Sequence, residues 1–319
     1  MAGEKYIVGI GAANIDLMGR SRAPLVMEDS NPGFISMSVG GVTHNICENA
    51  VRIGAKKAKL ITAVGDDLYG ETIRRTCEAV GIDTGDFLVV PGESSSTYLS
   101  LHRPTGEMAV ALSDMRVLQR LSVEFLRDRE ELLRSAGAIV MDTGLPEEIL
   151  AYVTDSFGEQ VPIFVDPVST AYAEKLRGRL RGYHTVKPNL LETQVLAEME
   201  IKTRQDLEQA AQRLLSQGLV RLVVSLGREG VYYRDREGLA LWVRGKPLER
   251  VVNATGAGDA FMGGLLYTFL RGDPPERALP FAVAASRMAV SHQCTINPDI
   301  SKQTVMSALE RDGIAVTRL

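Results

Sequence analysis

Through most of its length the chain repeats one pattern, a short apolar run bounded by turn residues and then a longer amphipathic segment. Strands covered on both faces are apolar throughout, so the pattern predicts a largely parallel sheet flanked by helices, an α/β fold. The runs that fit core strands are residues 6–11, 59–64, 138–142, 163–166, 185–187 and 222–225. Helices are expected over 45–53, 70–79, 123–135, 147–156, 189–199 and 203–217. Several strands end in a polar or charged residue followed by Gly or Pro, namely Asp142-Thr143-Gly144, Asp166-Pro167, Lys187-Pro188-Asn189 and Ser225-Leu226-Gly227. The ligand crevice of an open α/β sheet lies beyond the carboxyl ends of its strands, which makes these positions candidates for lining a site.

Two regions, about 17–38 and 97–112, break the alternation with β segments of mixed polarity. Residues 96–102 and 107–112 form a hairpin pattern turned at Pro104-Thr105-Gly106. Such strands do not suit a central parallel sheet, and a small β lid over the site is expected instead. An exposed lid is also the expected surface for a homodimer. No repeat, low-complexity stretch or Pro/Ser linker divides the chain, so residues 1–319 are expected to form a single domain.

The net charge of −4 supplies no basic footprint, which argues against broad binding to nucleic acid or an anionic membrane. A local phosphate nest needs no global positive field. Cys47, Cys77 and Cys294 are odd in number and widely spaced, as expected of a reducing compartment, and no CxxC or CxxH pair suggests a metal site. The N-terminal residues before the first strand are too few for a signal sequence, and no apolar run is long enough to span a bilayer. A soluble cytoplasmic protein is expected.

The stretch from Asn253 to Gly264 carries the strongest chemical signal. Gly256 and Gly258 free the backbone to approach an anion, and the amides of Ala257, Gly258 and Asp259 would point from a helix N-terminus, where unpaired N–H groups and the dipole favour negative charge. A carboxylate beside bound phosphate is costly unless it acts there, for example by taking a proton from an attacking hydroxyl; Asp259 fits that role. A glycine-rich turn with an Asp near a helix start is the alternative, disfavoured by the apolar run 260–270 with Gly263 and Gly264.

Other motifs are individually weaker. Asn14 and Asp16 fall on one face of an extended segment, where Asp16 could accept from a vicinal diol, although an Asx turn explains the spacing equally well. Gly40 and Gly41 precede a helix whose first turn carries Asn45, an amide suited to a sugar hydroxyl. His44 has no Ser or Cys partner in view and is expected to be structural. The dinucleotide fingerprint is absent, since Gly9-Ile10-Gly11 lacks a third glycine at the required spacing. Asn189 with Glu192 makes a sufficient capping box; contact with nucleotide phosphate and a Mg²⁺-bound water is the functional alternative. Ser225, Gly227 and Gly230 suit either a tight turn or a backbone loop along a nucleotide.

In this order and combination the motifs resemble the ribokinase/PfkB family of carbohydrate and nucleoside kinases over essentially the whole chain. Asn14-Ile15-Asp16, Gly40-Gly41 with Asn45, residues 64–70, Lys187-Pro188-Asn189 with Glu192, and Thr255 to Asp259 carry the resemblance. It implies a ribokinase-like fold, a mostly parallel central sheet flanked by helices with a small β lid, and transfer of the ATP γ-phosphoryl group to a primary hydroxyl. By resemblance, Asp259 is the base and the amides of Gly256, Ala257, Gly258 and Asp259 form the anion hole. Asp16, Gly41 and Asn45 hold the ribose hydroxyls of a nucleoside, with Asn14 and Gly40 alongside, while Ser96, Tyr98, Ser113 and Asp114 contact the base. Asn189, Glu192, Ser225, Gly227, Gly230 and Thr255 face ATP and Mg²⁺, with Glu192 holding the metal through water.

The segments 29–33, 91–101, 105–108, 113–115, 166–169 and 297–299 resemble the branch of the family that phosphorylates pseudouridine at its 5′-hydroxyl. Two positions depart from the wider pattern. Val42 stands where ribokinases carry Lys, which favours a larger substrate than free ribose. Asn253 stands where many members carry an Asp that helps bind K⁺, so monovalent-cation activation through Asn253 stays open. Another nucleoside or sugar kinase of the family is the alternative. A catalytically silent sugar- or nucleotide-binding regulator is a third reading, against which the retained Asp259 argues.

Overall fold

Every residue of the strands Ile7–Ile10, Ala138–Asp142 and Ile163–Asp166 is buried, as apolar runs between two helical layers require. The computed structural model describes residues 5–248 and 250–319. Among them a ten-stranded sheet runs in the order Ala315–Arg318, Ala240–Arg244, Val231–Asp235, Arg221–Ser225, Thr185–Val186, Ile163–Asp166, Ala138–Asp142, Ile7–Ile10, Ala58–Ile61 and Ile82–Asp83. Pairing is parallel from Arg221–Ser225 through to Ile82–Asp83, and antiparallel among the strands beyond it. Successive side chains go to opposite faces: Ile7, Val140, Phe164 and Val223 join one core, and Val8, Ile139, Val165 and Val224 the other. No helix among the described residues is long and apolar enough to cross a membrane.

Two sequence expectations change. The run 59–64 is not one strand, for Ala58–Ile61 stays in the large sheet while Ala63–Gly65 leaves it to pair with Leu88–Val90. Gly65 allows this, because a Cβ there would stand 2.1 Å from the Glu93 carbonyl oxygen. The helix expected over 123–135 divides into Val123–Arg127 and Glu130–Arg134. Between them Arg129 leaves helical geometry, donates to Asp86 at 3.0 Å and lies 3.5 Å from the Phe125 ring centroid.

A separate four-stranded sheet forms the lid, in the order Gly33–Gly40, Asn14–Ser21, Thr97–His102 and Met108–Asp114. Its hairpin turns at Pro104 to Gly106, where the Gly106 N–H donates to Arg103 O at 2.9 Å. Register aligns Ser38, Asp16, Tyr98 and Ser113 in one cross-strand row, and Val39, Ile15, Thr97 and Asp114 in the next. The two rows point to opposite faces. Because Asn14 follows Ile7–Ile10 by a short turn, the lid rises from the carboxyl edge of the central sheet.

Helices Val42–Ile53 and Ala257–Leu270 pack closely through Gly263, where a Cβ would stand 2.8 Å from Asn49 Cβ and 3.0 Å from the Ala50 nitrogen. Alanine gains up to about 1 kcal/mol over glycine in helix propensity. Overpacking against backbone costs about 1–3 kcal/mol, so Gly263→Ala is expected to lower stability. Urea unfolding checks this, and a variant at least as stable as the parent would contradict the close packing.

Candidate active site

Two helix starts supply the central pair of side chains. Gly41 caps Val42–Ile53 at φ 103°, and a Cβ there would lie 2.4 Å from the Ala12 carbonyl oxygen. Gly256 caps Ala257–Leu270 at φ 81°, and a Cβ there would lie 2.1 Å from Thr295 O. Both positions need glycine for backbone conformation and for close approach. Asn45 and Asp259 therefore occupy the first turns of their helices, where Asn45 Nδ2 donates to Asp259 Oδ2 at 2.9 Å. The first amides of Ala257–Leu270 have no partner within the helix, which suits them to an anion.

Asp259 is buried, and burial together with the carboxylates of Asp166 and Asp142 pushes its carboxyl up to about 7, against the opposing effects of Asn45 and Lys187. A group with that affinity for protons changes state near neutral pH. The acids and the lysine that surround it come from the sheet. Register places Asp142 beside Asp166, and Val165 beside Val186, so Lys187 follows next to Asp166 at the carboxyl edge. Lys187 Nζ stands 2.9 Å from Asp166 Oδ2 with both side chains buried. Burial disfavours the ammonium, but Asp166, Asp259 and Glu192 outweigh it and hold Lys187 above the usual lysine range. A Cβ on Gly258 would lie 3.0 Å from Nζ, so the ammonium packs directly against the first turn of the Asp259 helix. Asp142 accepts from Ala12 N at 2.7 Å, Thr43 Oγ1 at 2.6 Å and Gly144 N at 2.9 Å, and burial still raises its pKa.

On the lid side, Asn14 Nδ2 donates to Asp16 Oδ1 at 2.6 Å, and a Cβ on Gly40 would meet Asp16 Oδ2 at 2.2 Å. Asp16, Gly40, Gly41, Asn45 and Asp259 thus form one continuous line. Burial raises the Asp16 pKa, with the Asn14 hydrogen bond opposing. Ser96 is buried and its carbonyl accepts from Ile15 N; Tyr98 and Ser113 share the Asp16 row, and Tyr98 Oη approaches Met108 Sδ at 3.6 Å.

Asn189 and Glu192 form a complete capping box. The Asn189 N–H and Nδ2 donate to the two Glu192 carboxylate oxygens at 2.9 and 2.7 Å, and the Glu192 N–H donates to Asn189 Oδ1 at 2.9 Å. A bridge joins Asn189 to Ser225, whose N–H donates to Pro188 O at 2.9 Å. Gly227 (φ 57°) faces open space, whereas Gly230 lies against Val243 O.

Three positions behave differently from the sequence expectation. Asp114 faces away from Asp16 and Ser113, and Arg116 Nε and Nη2 hold its carboxylate at 2.9 and 2.7 Å. Asn253 ties two loops, its Nδ2 donating to Gln293 O at 3.1 Å and its Oδ1 accepting from Thr255 N at 2.9 Å; the Thr255 side chain is exposed. His44, expected to be structural, is fully buried beside Asn45. Thr43 carries no signal of its own in the sequence, Asp142 stands out there only as a strand end, and Asp166 and Lys187 appear there as strand ends and within motifs that carry the resemblance, with no role of their own.

A lidded, mostly parallel sheet whose carboxyl edge brings a buried carboxylate to a glycine-opened helix start defines a phosphotransferase acting on a hydroxyl group. The model of the pfkB family of carbohydrate kinases matches residues 4–303, and the chain belongs to that family. It is 42% identical to the pseudouridine kinase of Escherichia coli (strain K12) over 311 residues, 97% of this chain and 98% of that protein. Identity to the guanosine-inosine kinase of Exiguobacterium acetylicum is 23% over 89% of this chain and 94% of that one. The structure of Arabidopsis thaliana ribokinase complexed with ribose and ATP shares the fold with a TM-score of 0.83 at 20% identity, over 96% of this chain and 99% of that one.

Removing one partner of a buried ion pair costs about 3–5 kcal/mol, while replacing both by apolar groups is often near neutral. Lys187→Met is expected to destabilise the protein by that amount, and adding Asp166→Leu to recover most of it. Denaturant unfolding of the two variants decides this; equal losses in the single and the double variant would contradict a coupled pair.

Proposed function

We propose that this protein transfers the γ-phosphoryl group of ATP to the 5′-hydroxyl of pseudouridine, giving pseudouridine 5′-phosphate and ADP. The observation that carries the chemistry is the buried Asp259 carboxylate, with a pKa of about 7, in the first turn of a helix whose amides favour phosphate. The 42% identity to a pseudouridine kinase, extending over 97% of the chain, supports the acceptor.

In this reading Asp16, Gly41 and Asn45 hold the ribose hydroxyls, with Asn14 orienting Asp16 and Gly40 leaving it room. Asp259 takes the 5′-hydroxyl proton as that oxygen bonds to the γ-phosphorus and the bond to the β–γ bridging oxygen breaks. The amides of Gly256 to Asp259 and the adjacent Lys187 ammonium stabilise charge on the transferred group. Ser96, Tyr98 and Ser113 meet the base, and Asp114 is assigned no contact because Arg116 holds it on the other face. Asn189, Glu192, Ser225, Gly227 and Gly230 border the nucleotide.

Each Glu192 oxygen accepts one hydrogen bond and retains a second lone pair, and no cluster of three or more metal-ligating side chains occurs among the described residues. That donor set fits Mg²⁺ held through water and substrate phosphates rather than in a protein cage. Bound there, the ion would neutralise phosphate charge. Asn253 is assigned its loop tie and no cation.

We read residues 1–319 as one kinase domain. The lid face opposite Asp16 carries exposed Ile35, Met37, Leu101, Val110 and Leu112, which we assign to a homodimer contact. Sedimentation should then report a dimer that Leu112→Glu dissociates; a monomeric parent would remove this assignment.

With ATP and a panel of pseudouridine, uridine, adenosine, ribose and fructose, kcat/KM is expected to be highest for pseudouridine, with a 5′-phosphomonoester seen by ³¹P NMR. Preference for ribose or adenosine would overturn the substrate. Asp259 must be ionised to accept a proton, so kcat/KM should climb about tenfold per pH unit below about 7 and level above it. A flat profile between pH 5 and 9 would remove Asp259 from the rate.

A further inference from the structure

The Asp259 carboxylate is the first member of a buried polar chain that runs back along helix Val42–Ile53. Asn45 Nδ2 donates to Asp259 Oδ2 at 2.9 Å, Asn45 Oδ1 lies 3.1 Å from His44 Nδ1, and His44 Nε2 lies 3.3 Å from Glu48 Oε2. Arg52 Nε donates to Glu48 Oε1 at 2.7 Å and Arg52 Nη1 to Pro298 O at 3.3 Å. His44 is wholly enclosed and Glu48 nearly so.

Chemistry fixes the direction of this chain. An ionised carboxylate only accepts, so Asn45 must turn its NH₂ to Asp259 and its oxygen to His44. The atom facing that oxygen, His44 Nδ1, must then carry the proton. Burial, opposed by Glu48 and Asn45, lowers the imidazole pKa, and Arg52 adds to the lowering. Its Nε2 makes no hydrogen bond, and the Glu48 carboxylate 3.3 Å away is held by Arg52. A protonated Asp259 can donate, and the Nδ1–H is then what keeps the Asn45 amide from turning its oxygen to that proton, so the contact favours the ionised carboxylate.

We propose that His44 is a positioning residue whose Nδ1–H locks the Asn45 amide with its NH₂ toward Asp259. The proposal rests on Asp259 being the proton acceptor of the reaction. Around Asp259 the lock acts together with Asp166, Asp142 and Lys187 from the sheet edge; around His44 the charges are Glu48 and Arg52.

Two amide variants separate the two ring nitrogens while keeping a polar group in the core. In His44→Asn the amide nitrogen falls where Nδ1 is, and in His44→Gln where Nε2 is. The Asp259 carboxyl is followed by ¹³C NMR of protein labelled at the aspartate carboxyls, its signal assigned by its loss in Asp259→Asn. The parent and His44→Asn are expected to titrate together, and His44→Gln about one pH unit higher, as loss of a hydrogen bond to the carboxylate would produce. The acid limb of kcat/KM should move with it, so that His44→Gln loses about tenfold at pH 6 and little at pH 9. Coincident titrations in all three proteins, or equal shifts in both variants, would overturn the lock. A shifted carboxyl with an unmoved kinetic limb would support the lock and remove Asp259 as the base.

Discussion

The hydrogen bond from Asn45 to Asp259 is the contact around which this site is arranged. It joins the first turns of two helices that enter the crevice from different parts of the chain, and it exists only because those helices approach at Gly263, where no side chain fits. Gly41 and Gly256 set where each helix begins, and the begin points decide which side chains face the crevice. The lid joins the same assembly through Asp16, packed on Gly40 one residue before the first helix cap.

Charge explains why so many acids tolerate one another here. Asp142, Asp166, Asp259 and Glu192 lie at one edge of the sheet, and burial raises the pKa of Asp142, Asp259 and Glu192. Lys187 is the cation set among them, ion-paired with Asp166 and in contact with the start of the Asp259 helix. Hydrogen bonds give two of the acids different roles. Asp142 is held on both oxygens by Ala12, Thr43 and Gly144 and braces the junction between strand and lid, whereas Asp259 is held on one oxygen and has the other to offer. A carboxylate with near-neutral proton affinity beside unpaired amides is the combination that proton removal and phosphate binding both need.

Much of this is legible in the sequence because the buried parallel strands are short and sharply punctuated. Turn residues bound the runs 138–142 and 163–166 correctly, and Pro104 to Gly106 bound the lid hairpin. The antiparallel strands Val231–Asp235 and Ala240–Arg244 escape that pattern, and the division at Thr62 is invisible because both halves are apolar. Residue identities at Asp16, Asn45 and Asp259 suggest chemistry, but their alignment depends on helix packing that no local pattern encodes. The Asp166–Lys187 pair comes from parallel register between separate strands, and the His44–Asn45 contact from the burial of both side chains in one helix turn. Neither leaves a trace in spacing. The opposite fates of Ser113 and Asp114 follow from strand alternation, which becomes specific only once the register is known.

If Asp259 takes the proton of the attacking hydroxyl while its neighbours bind the substrates, replacing it should slow chemistry and spare binding. Rapid-quench single-turnover measurement of Asp259→Asn with ATP and pseudouridine separates the two. The expected result is a chemical step slower by about 10²–10⁴ with nucleoside affinity retained. A variant that turns over at the parent rate would exclude Asp259 as the base.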